Sequence, residues 1–296
     1  MKKMWDAVVV GAGPAGCTAA VQLVREGFKP LLIEKNSKIG GLISHAWRVE
    51  NCPLFKSPVS GLKIASLLEG QIRNWRINMV RSEVQKISRA GNNLWIVIGE
   101  DFEIKAKALI LCAGTVPKAP EFFIPKGSEL RYYPCEVSSG ARKVAIVGGG
   151  DAAFDYALSL ADRDIEPAIF VRSDEPRALS RLQGEVKSRG IKVWLGTEII
   201  GVEKVGHSIK INLRTRGSDK NIQVDEMLMA IGRESAIERI RVEAKLTRSD
   251  KTGLLCCDGL WLAGDVWRGK IRQMSMAIGD GLAAAMEASE FLKTKR

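Results

Sequence analysis

A glycine pattern, Gly-x-Gly-x-x-Gly/Ala, occurs twice in this chain, each time between an apolar strand and a helix. The first copy follows Ala7–Val10 and reads Gly11-Ala12-Gly13-Pro14-Ala15-Gly16. A helical stretch runs on from Cys17 to Glu26, and a second strand, Pro30 to Ile33, ends at Glu34. Each glycine has a physical task. Gly11 permits the tight turn, Gly13 lets backbone approach a pyrophosphate, and Gly16 lets helix and strand pack closely. The helix start offers free N–H groups and the positive end of its dipole to the phosphates. Glu34 lies 23 residues after Gly11, where a carboxylate accepts hydrogen bonds from a ribose diol.

The second copy follows Val144–Val147 and reads Gly148-Gly149-Gly150-Asp151-Ala152-Ala153, with a helix through Ala161. Its next strand, Pro167 to Val171, ends at Arg172, 24 residues after Gly148. A cation now stands where the first copy has an anion. With Arg177 it suits a 2′-phosphate, which a carboxylate would repel; two solvated surface arginines are the plainer alternative.

Similar tails follow both copies. Glu83–Ile87 and Leu94–Ile98 alternate around Gly91-Asn92-Asn93 as a β-hairpin, and a strand over Ala108–Leu111 reaches Cys112-Ala113-Gly114-Thr115. In the second tail Ile199–Val202 and Ser208–Leu213 flank a turn, and Glu226–Met229 reaches Ala230-Ile231-Gly232-Arg233. The closing strand Leu260–Asp265 and the Ala-rich helix after Arg272-Gln273 have no fingerprint of their own. They need a sheet to join, and the first domain is the natural host. The expected fold class is therefore α/β: two Rossmann-like dinucleotide-binding domains of three-layer ββα type, the second inserted in the first. The boundaries are residues 1–116 with 233–296 and residues 117–232, with hinges near Gly114–Pro117 and Gly232–Glu234.

Composition narrows the function. No apolar run approaches the roughly 20 residues that cross a bilayer. Asp6 interrupts the apolar start after Lys2-Lys3, so the lipobox-like Pro14-Ala15-Gly16-Cys17 is read as glycine turn, and the protein as cytoplasmic. The cysteines at 17, 52, 112, 135, 256 and 257 include no C-x-x-C pair and form no metal-like cluster with the two histidines. The net charge is +11 and unevenly spread: 17 basic against 9 acidic residues over 1–118, 16 of each over 119–232, and 12 against 9 over 233–296. Such a surface speeds encounter with an acidic partner. No nucleic-acid motif accompanies the charge, so that role is not expected.

Gly11 to Gly16, Gly40-Gly41, Val49-Glu50-Asn51, Gly148 to Ala153, Ala230 to Arg233, and Ala263-Gly264-Asp265 with Arg272-Gln273 form a specific combination. On these residues the chain resembles the low-molecular-weight thioredoxin reductases along nearly its whole length. The resemblance implies FAD in the discontinuous domain, with Gly11, Gly13, Pro14, Ala15, Gly16, Glu34 and Lys35 at its pyrophosphate and adenosine. Gly40, Gly41, Leu42, Asn51, Val84, Ala113 and Gly114 are implied around it. Gly264 and Asp265 match the ribityl-pyrophosphate contact, and Arg272, Gln273 and Met274 the flavin's pyrimidine end. The inserted domain is implied to bind NADPH or NADH through Gly148, Gly150, Asp151, Ala152, Ala153, Arg172, Arg177, Ile231 and Gly232. Ser173 stands where the family often has a further arginine, which leaves the choice of nicotinamide cofactor open. A homodimer is the family's habit.

One departure is chemical. The family's C-x-x-C pair sits shortly before the second fingerprint, where this chain has Tyr132-Tyr133-Pro134-Cys135. An intramolecular disulfide needs two thiols, so ordinary thioredoxin reduction is not expected. The Tyr-Tyr stretch also resembles the ferredoxin/flavodoxin–NADP reductases of this fold. Three functions stay open. Electrons pass from NAD(P)H through FAD directly to an acidic carrier such as ferredoxin or flavodoxin, which is favoured. Alternatively a small disulfide, quinone or dioxygen accepts them, with Cys135 as a candidate single thiol. Or the chain is a non-catalytic FAD-binding sensor or scaffold.

Overall fold

The computed structural model describes residues 4–91, 94–122, 125 and 130–295. Lys2, Lys3 and the expected turn residues Asn92 and Asn93 lie outside them. The chain divides into two compact units. One comprises residues 1–44, 50–116 and 235–296, and the other residues 45–49 and 117–234. The five residues 45–49, which the sequence reading keeps with their neighbours in the first domain, pack with the second unit instead. Five α-helices occur among the described residues: α1 (Pro14–Arg25), α2 (Gly61–Asn74), α3 (Asp151–Ala161), α4 (Ser180–Ser188) and α5 (Met274–Thr294). Helix α1 begins three residues before the expected Cys17, because Pro14 takes the first helical position, where its missing N–H is not needed.

In the first unit, Met4–Val10 lies between Pro30–Glu34 and Glu103–Leu111, parallel to both. Side chains alternate between two cores. Ala7, Val9, Leu32, Ala108 and Ile110 face the core shared with α1 and α5. Val8, Val10, Leu31, Ile33, Leu109 and Leu111 face the other, with Val84, Ile87, Trp95 and Val97. Burial on both faces is why these strands read as continuous apolar runs. Glu103–Leu111 serves two layers: its first half pairs antiparallel with Leu94–Gly99, and its second half parallel with Leu260–Leu262. The closing strand thus joins the first unit's sheet, shorter than the sequence suggested. Helix α5 lies against α1 where Gly281 meets Ala15, and a Cβ at Gly281 would run into the Ala15 backbone.

The second unit repeats the plan. Lys143–Val147 lies parallel to both Glu166–Phe170 and Glu226–Met229. Val144, Ile146, Ile169 and Leu228 face α3, while Ala145, Phe170, Met227 and Met229 face the antiparallel strands Glu198–Val205, Ser208–Arg214 and Asp219–Val224. Helix, parallel sheet and antiparallel sheet make three layers in each unit. Helix α2, which the sequence reading did not place, has Ser60 as its cap, accepting from the Lys63 amide at 3.3 Å. It presents Ile64, Leu68 and Ile72 at a spacing of four residues, one helical face.

Candidate cofactor sites

The two glycine turns are built alike. The Gly11 amide donates to the Ile33 carbonyl at 2.7 Å, and that of Gly148 to Phe170 at 3.0 Å. Both have positive φ, and a Cβ would collide with the carbonyl of Cys112 at Gly11 and of Ala230 at Gly148. Packing of the protein therefore explains these two glycines. It does not explain Gly13 or Gly150: a Cβ at Gly13 would meet only the Gly40 carbonyl oxygen, at 3.8 Å, and one at Gly150 would meet nothing. Their bare backbone faces open space, as close approach by a ligand requires. Both are also helix N-caps without a side-chain cap, so the first amides of α1 and α3 keep no side-chain acceptor there. These cradles fit pyrophosphate groups.

Around the first turn, the Gly40 amide donates to the Ala12 carbonyl at 2.9 Å, bringing the Gly40–Gly41 loop onto the fingerprint. Glu34 is buried and accepts from the backbone amides of Ala12 at 2.7 Å and Asn36 at 2.8 Å. Spare lone pairs on both oxygens remain for a ribose hydroxyl. Lys35 is ion-paired with Glu83 at 3.2 Å. Val84 is buried in the core. Asn51 donates to the Gln273 side chain at 2.8 Å, joining two expected flavin-end residues 222 positions apart. Arg272 donates to the Arg268 carbonyl at 3.1 Å, and α5 begins at Met274 with no side-chain cap. Pro14, Ala15, Gly16, Leu42, Ala113, Gly114 and Asp265 belong to the same unit.

A residue that sequence reasoning missed organises the Gly264–Asp265 turn. Asp280, buried in α5, accepts from the Gly264 amide at 3.1 Å, the Trp267 indole at 3.1 Å and Arg268 through both oxygens at 2.7 Å. The available signal was an acidic residue on the apolar face of an Ala-rich helix.

In the second unit, the Gly149 carbonyl accepts from the amides of Arg177 at 2.6 Å and Ala178 at 3.1 Å, and Asp151 accepts from the Leu179 amide at 2.8 Å. The segment carrying Arg172 and Arg177 is thereby tied to the fingerprint, and both arginines are exposed. Ala152, Ala153, Ile231 and Gly232 belong to this unit.

The model of the family described as pyridine nucleotide-disulphide oxidoreductase matches residues 5–281. The chain belongs to that family. It is a flavin oxidoreductase of the thioredoxin reductase type, with FAD and a nicotinamide dinucleotide as cofactors. It is 29% identical to a "34.2 kDa protein in rubredoxin operon" of Clostridium pasteurianum, covering 99% of both chains. It is 28% identical to a ferredoxin–NADP reductase of Ignicoccus hospitalis, over 98% of this chain and 99% of that one. The thioredoxin reductase structure of T. acidophilum superposes with a TM-score of 0.85 at 25% identity, covering both chains completely.

Among the described residues no group of side chains is arranged to hold a metal ion, and no helix is long and apolar enough to cross a membrane. The six cysteines are all thiols. Burial pushes the Cys17 thiol up to about 12 and raises that of Cys112 as well.

Proposed function

We propose that this oxidoreductase takes a hydride from NAD(P)H and passes electrons from its flavin directly to an external acceptor, with an acidic one-electron carrier of the ferredoxin or flavodoxin type favoured. When bound, the nicotinamide supplies the hydride and the flavin converts a two-electron donor into a one- or two-electron source. The chain's own residues bind and orient. In the first unit, residues 1–44, 50–116 and 235–296, Gly13 and the α1 amides cradle the FAD pyrophosphate, while Glu34 takes the ribose. The Asn51–Gln273 pair and the start of α5 face the pyrimidine end, where a helix N-terminus favours negative charge. In residues 117–232, Gly150 and the α3 amides take the nicotinamide cofactor's pyrophosphate, with Arg172 and Arg177 at its ribose.

The observation carrying this reading is the pair of open cradles, at Gly13 and Gly150, in a chain with no C-x-x-C spacing. Two nucleotide sites supply an entry for electrons, and the absent pair removes the usual internal exit. The basic excess in residues 1–118 and 233–296 favours an acidic carrier, in keeping with the ferredoxin–NADP reductase among the relatives. The test is an anaerobic titration of the FAD-loaded protein with NADPH and then NADH, followed in the flavin's visible band, with oxidised ferredoxin or flavodoxin added afterwards. Bleaching by about one equivalent and recovery of colour on adding carrier are expected. A flavin that stays oxidised in excess of both nucleotides would sink the reading in favour of a sensor or scaffold.

A further inference from the structure

The segment after the strand Glu166–Phe170 reads Val171-Arg172-Ser173-Asp174-Glu175-Pro176-Arg177. Its two arginines are matched by two carboxylates, so on its own it has no net charge to attract a dianion. A 2′-phosphate is such a group, and it is all that distinguishes NADPH from NADH. These six side chains by themselves leave the choice between the two cofactors open.

The fold brings in a further cation from within the same unit. The Val171 amide donates to the Trp194 carbonyl at 2.8 Å, the Thr197 amide to that of Val171 at 2.9 Å, and the Gly196 amide to that of Ser173 at 3.0 Å. These bonds tie the segment to residues 194–197, at the ends of two parallel strands, the edge where open α/β sheets bind ligands. Asp174 is held there in an ion pair with Arg216. Arg216 lies in the turn between Ser208–Arg214 and Asp219–Val224, where the Thr215 hydroxyl donates to the Ser218 carbonyl at 2.6 Å. A Cβ at Gly196 would lie 2.9 Å from Asp174 Oδ1 and 3.4 Å from Arg216 Nε, so both partners lie over a residue that has no side chain. The side chains of Arg216 and Asp174 are 73% and 60% exposed. A pair so open to water adds little to stability, and its consequence is the field it sets beside Arg172. With Arg216 in place, the cluster gains one net positive charge.

We propose that the Arg216–Asp174 pair sets the choice between NADPH and NADH in this chain, with Arg216 cancelling a carboxylate that would otherwise repel the 2′-phosphate. NADPH is then the favoured hydride donor. The inference rests on the reading of Gly150, Arg172 and Arg177 as the nicotinamide cofactor's site and adds the pair that decides which nucleotide enters it. Discrimination comes from a removed repulsion as much as from the arginines' attraction. Charge carries the effect, so it follows the sum over the pair. Losing Arg216 leaves the pair negative, losing Asp174 leaves it positive, and losing both restores neutrality.

The experiment measures the binding of NADP⁺ and of NAD⁺ to the oxidised, FAD-loaded protein by calorimetry, at low and at high salt, with no turnover. NADP⁺ is expected to bind more tightly by about tenfold or more, as charge-assisted hydrogen bonds to a phosphate allow. Arg216→Gln should cut that ratio about three- to tenfold at low salt, the effect of one charge several ångströms from a dianion in water. Arg216→Lys should keep it. Asp174→Asn should raise the ratio by a similar factor, and the double variant Arg216→Gln with Asp174→Asn should return to the starting value. High salt should draw all the ratios together, which a merely structural role of the pair would not do. Equal affinity for the two nucleotides in the unaltered protein, or a ratio that Arg216→Gln and Asp174→Asn leave unmoved, would overturn this proposal alone. Binding of neither nucleotide would overturn it together with the nicotinamide site on which it rests, so the two failures are distinguishable.

Discussion

Glu34 accepts the Ala12 amide at 2.7 Å, so the carboxylate proposed to take a ribose also braces the glycine turn proposed to hold the phosphates. Replacing Glu34 with alanine removes the ribose contact and leaves the Ala12 N–H buried without its acceptor, a penalty of about 1–3 kcal/mol. FAD affinity is expected to fall by roughly tenfold or more, read as flavin lost on dialysis, and the melting temperature should drop. Full retention of FAD would rule out the ribose role.

Gly148→Ala tests the second cradle alone. The new methyl group meets the Ala230 carbonyl at a backbone conformation that L residues rarely adopt. The variant should keep its FAD and still be reduced by dithionite, yet bleach slowly with NADPH or NADH. Normal bleaching would place the nicotinamide site elsewhere.

Asp280→Asn probes the support behind the Gly264–Asp265 turn. Arg268, paired with both carboxylate oxygens and only 22% exposed at its side chain, would lose its counter-charge. Breaking a buried pair from one side costs about 3–5 kcal/mol. A large fall in melting temperature with release of flavin is expected, and a change within error would show the pair to be dispensable.

Acid should loosen the turn that carries Cys135. Burial by itself would raise Glu226, but the Arg131 and Ser138 contacts outweigh it and hold the carboxyl below its ordinary range. A depressed folded-state value means that the group's stability contribution is complete above about pH 4.3, the unfolded value, and is lost as pH falls through the folded one. Denaturant unfolding between neutral and acid pH should show this loss, and Glu226→Gln should flatten the curve. Parallel curves would reject the assignment.

Salt separates docking by charge from docking by shape. The excess of basic residues in 1–118 and 233–296 predicts that turnover with an acidic carrier falls steeply as ionic strength rises, while flavin reduction by NAD(P)H changes little. Salt-independent carrier turnover would count against a basic docking face.

Much of this was legible in the sequence because backbone geometry writes itself into residue type. Gly11 and Gly148 had to be glycine to clear the carbonyls of Cys112 and Ala230, and strands buried on both faces had to be apolar throughout. Glu34 was found because it stands at a set distance from such a landmark, whereas Asn51 and Gln273 came only from the resemblance to the thioredoxin reductases. Contacts between distant side chains leave no such spacing. Nothing local in Ala46-Trp47-Arg48 announces Asp155 and Asp162, more than 100 residues on. His45 and Cys135 likewise meet only once Trp47 is anchored. Asp280 carries no spacing signal either, since its partners Gly264, Trp267 and Arg268 meet it only in the fold.

The pairing of Leu260–Leu262 with Leu109–Leu111 has a consequence for how the protein is made. On the ribosome, all of residues 117–234 emerge before the strand that completes the first unit's sheet. The second unit can close as soon as Glu226–Met229 slots beside Lys143–Val147, because Trp47 has long been available. The half that begins the chain is therefore the last to finish. Until the final stretch is released it must wait with one sheet edge open, the stage at which a nascent chain is most in need of a chaperone.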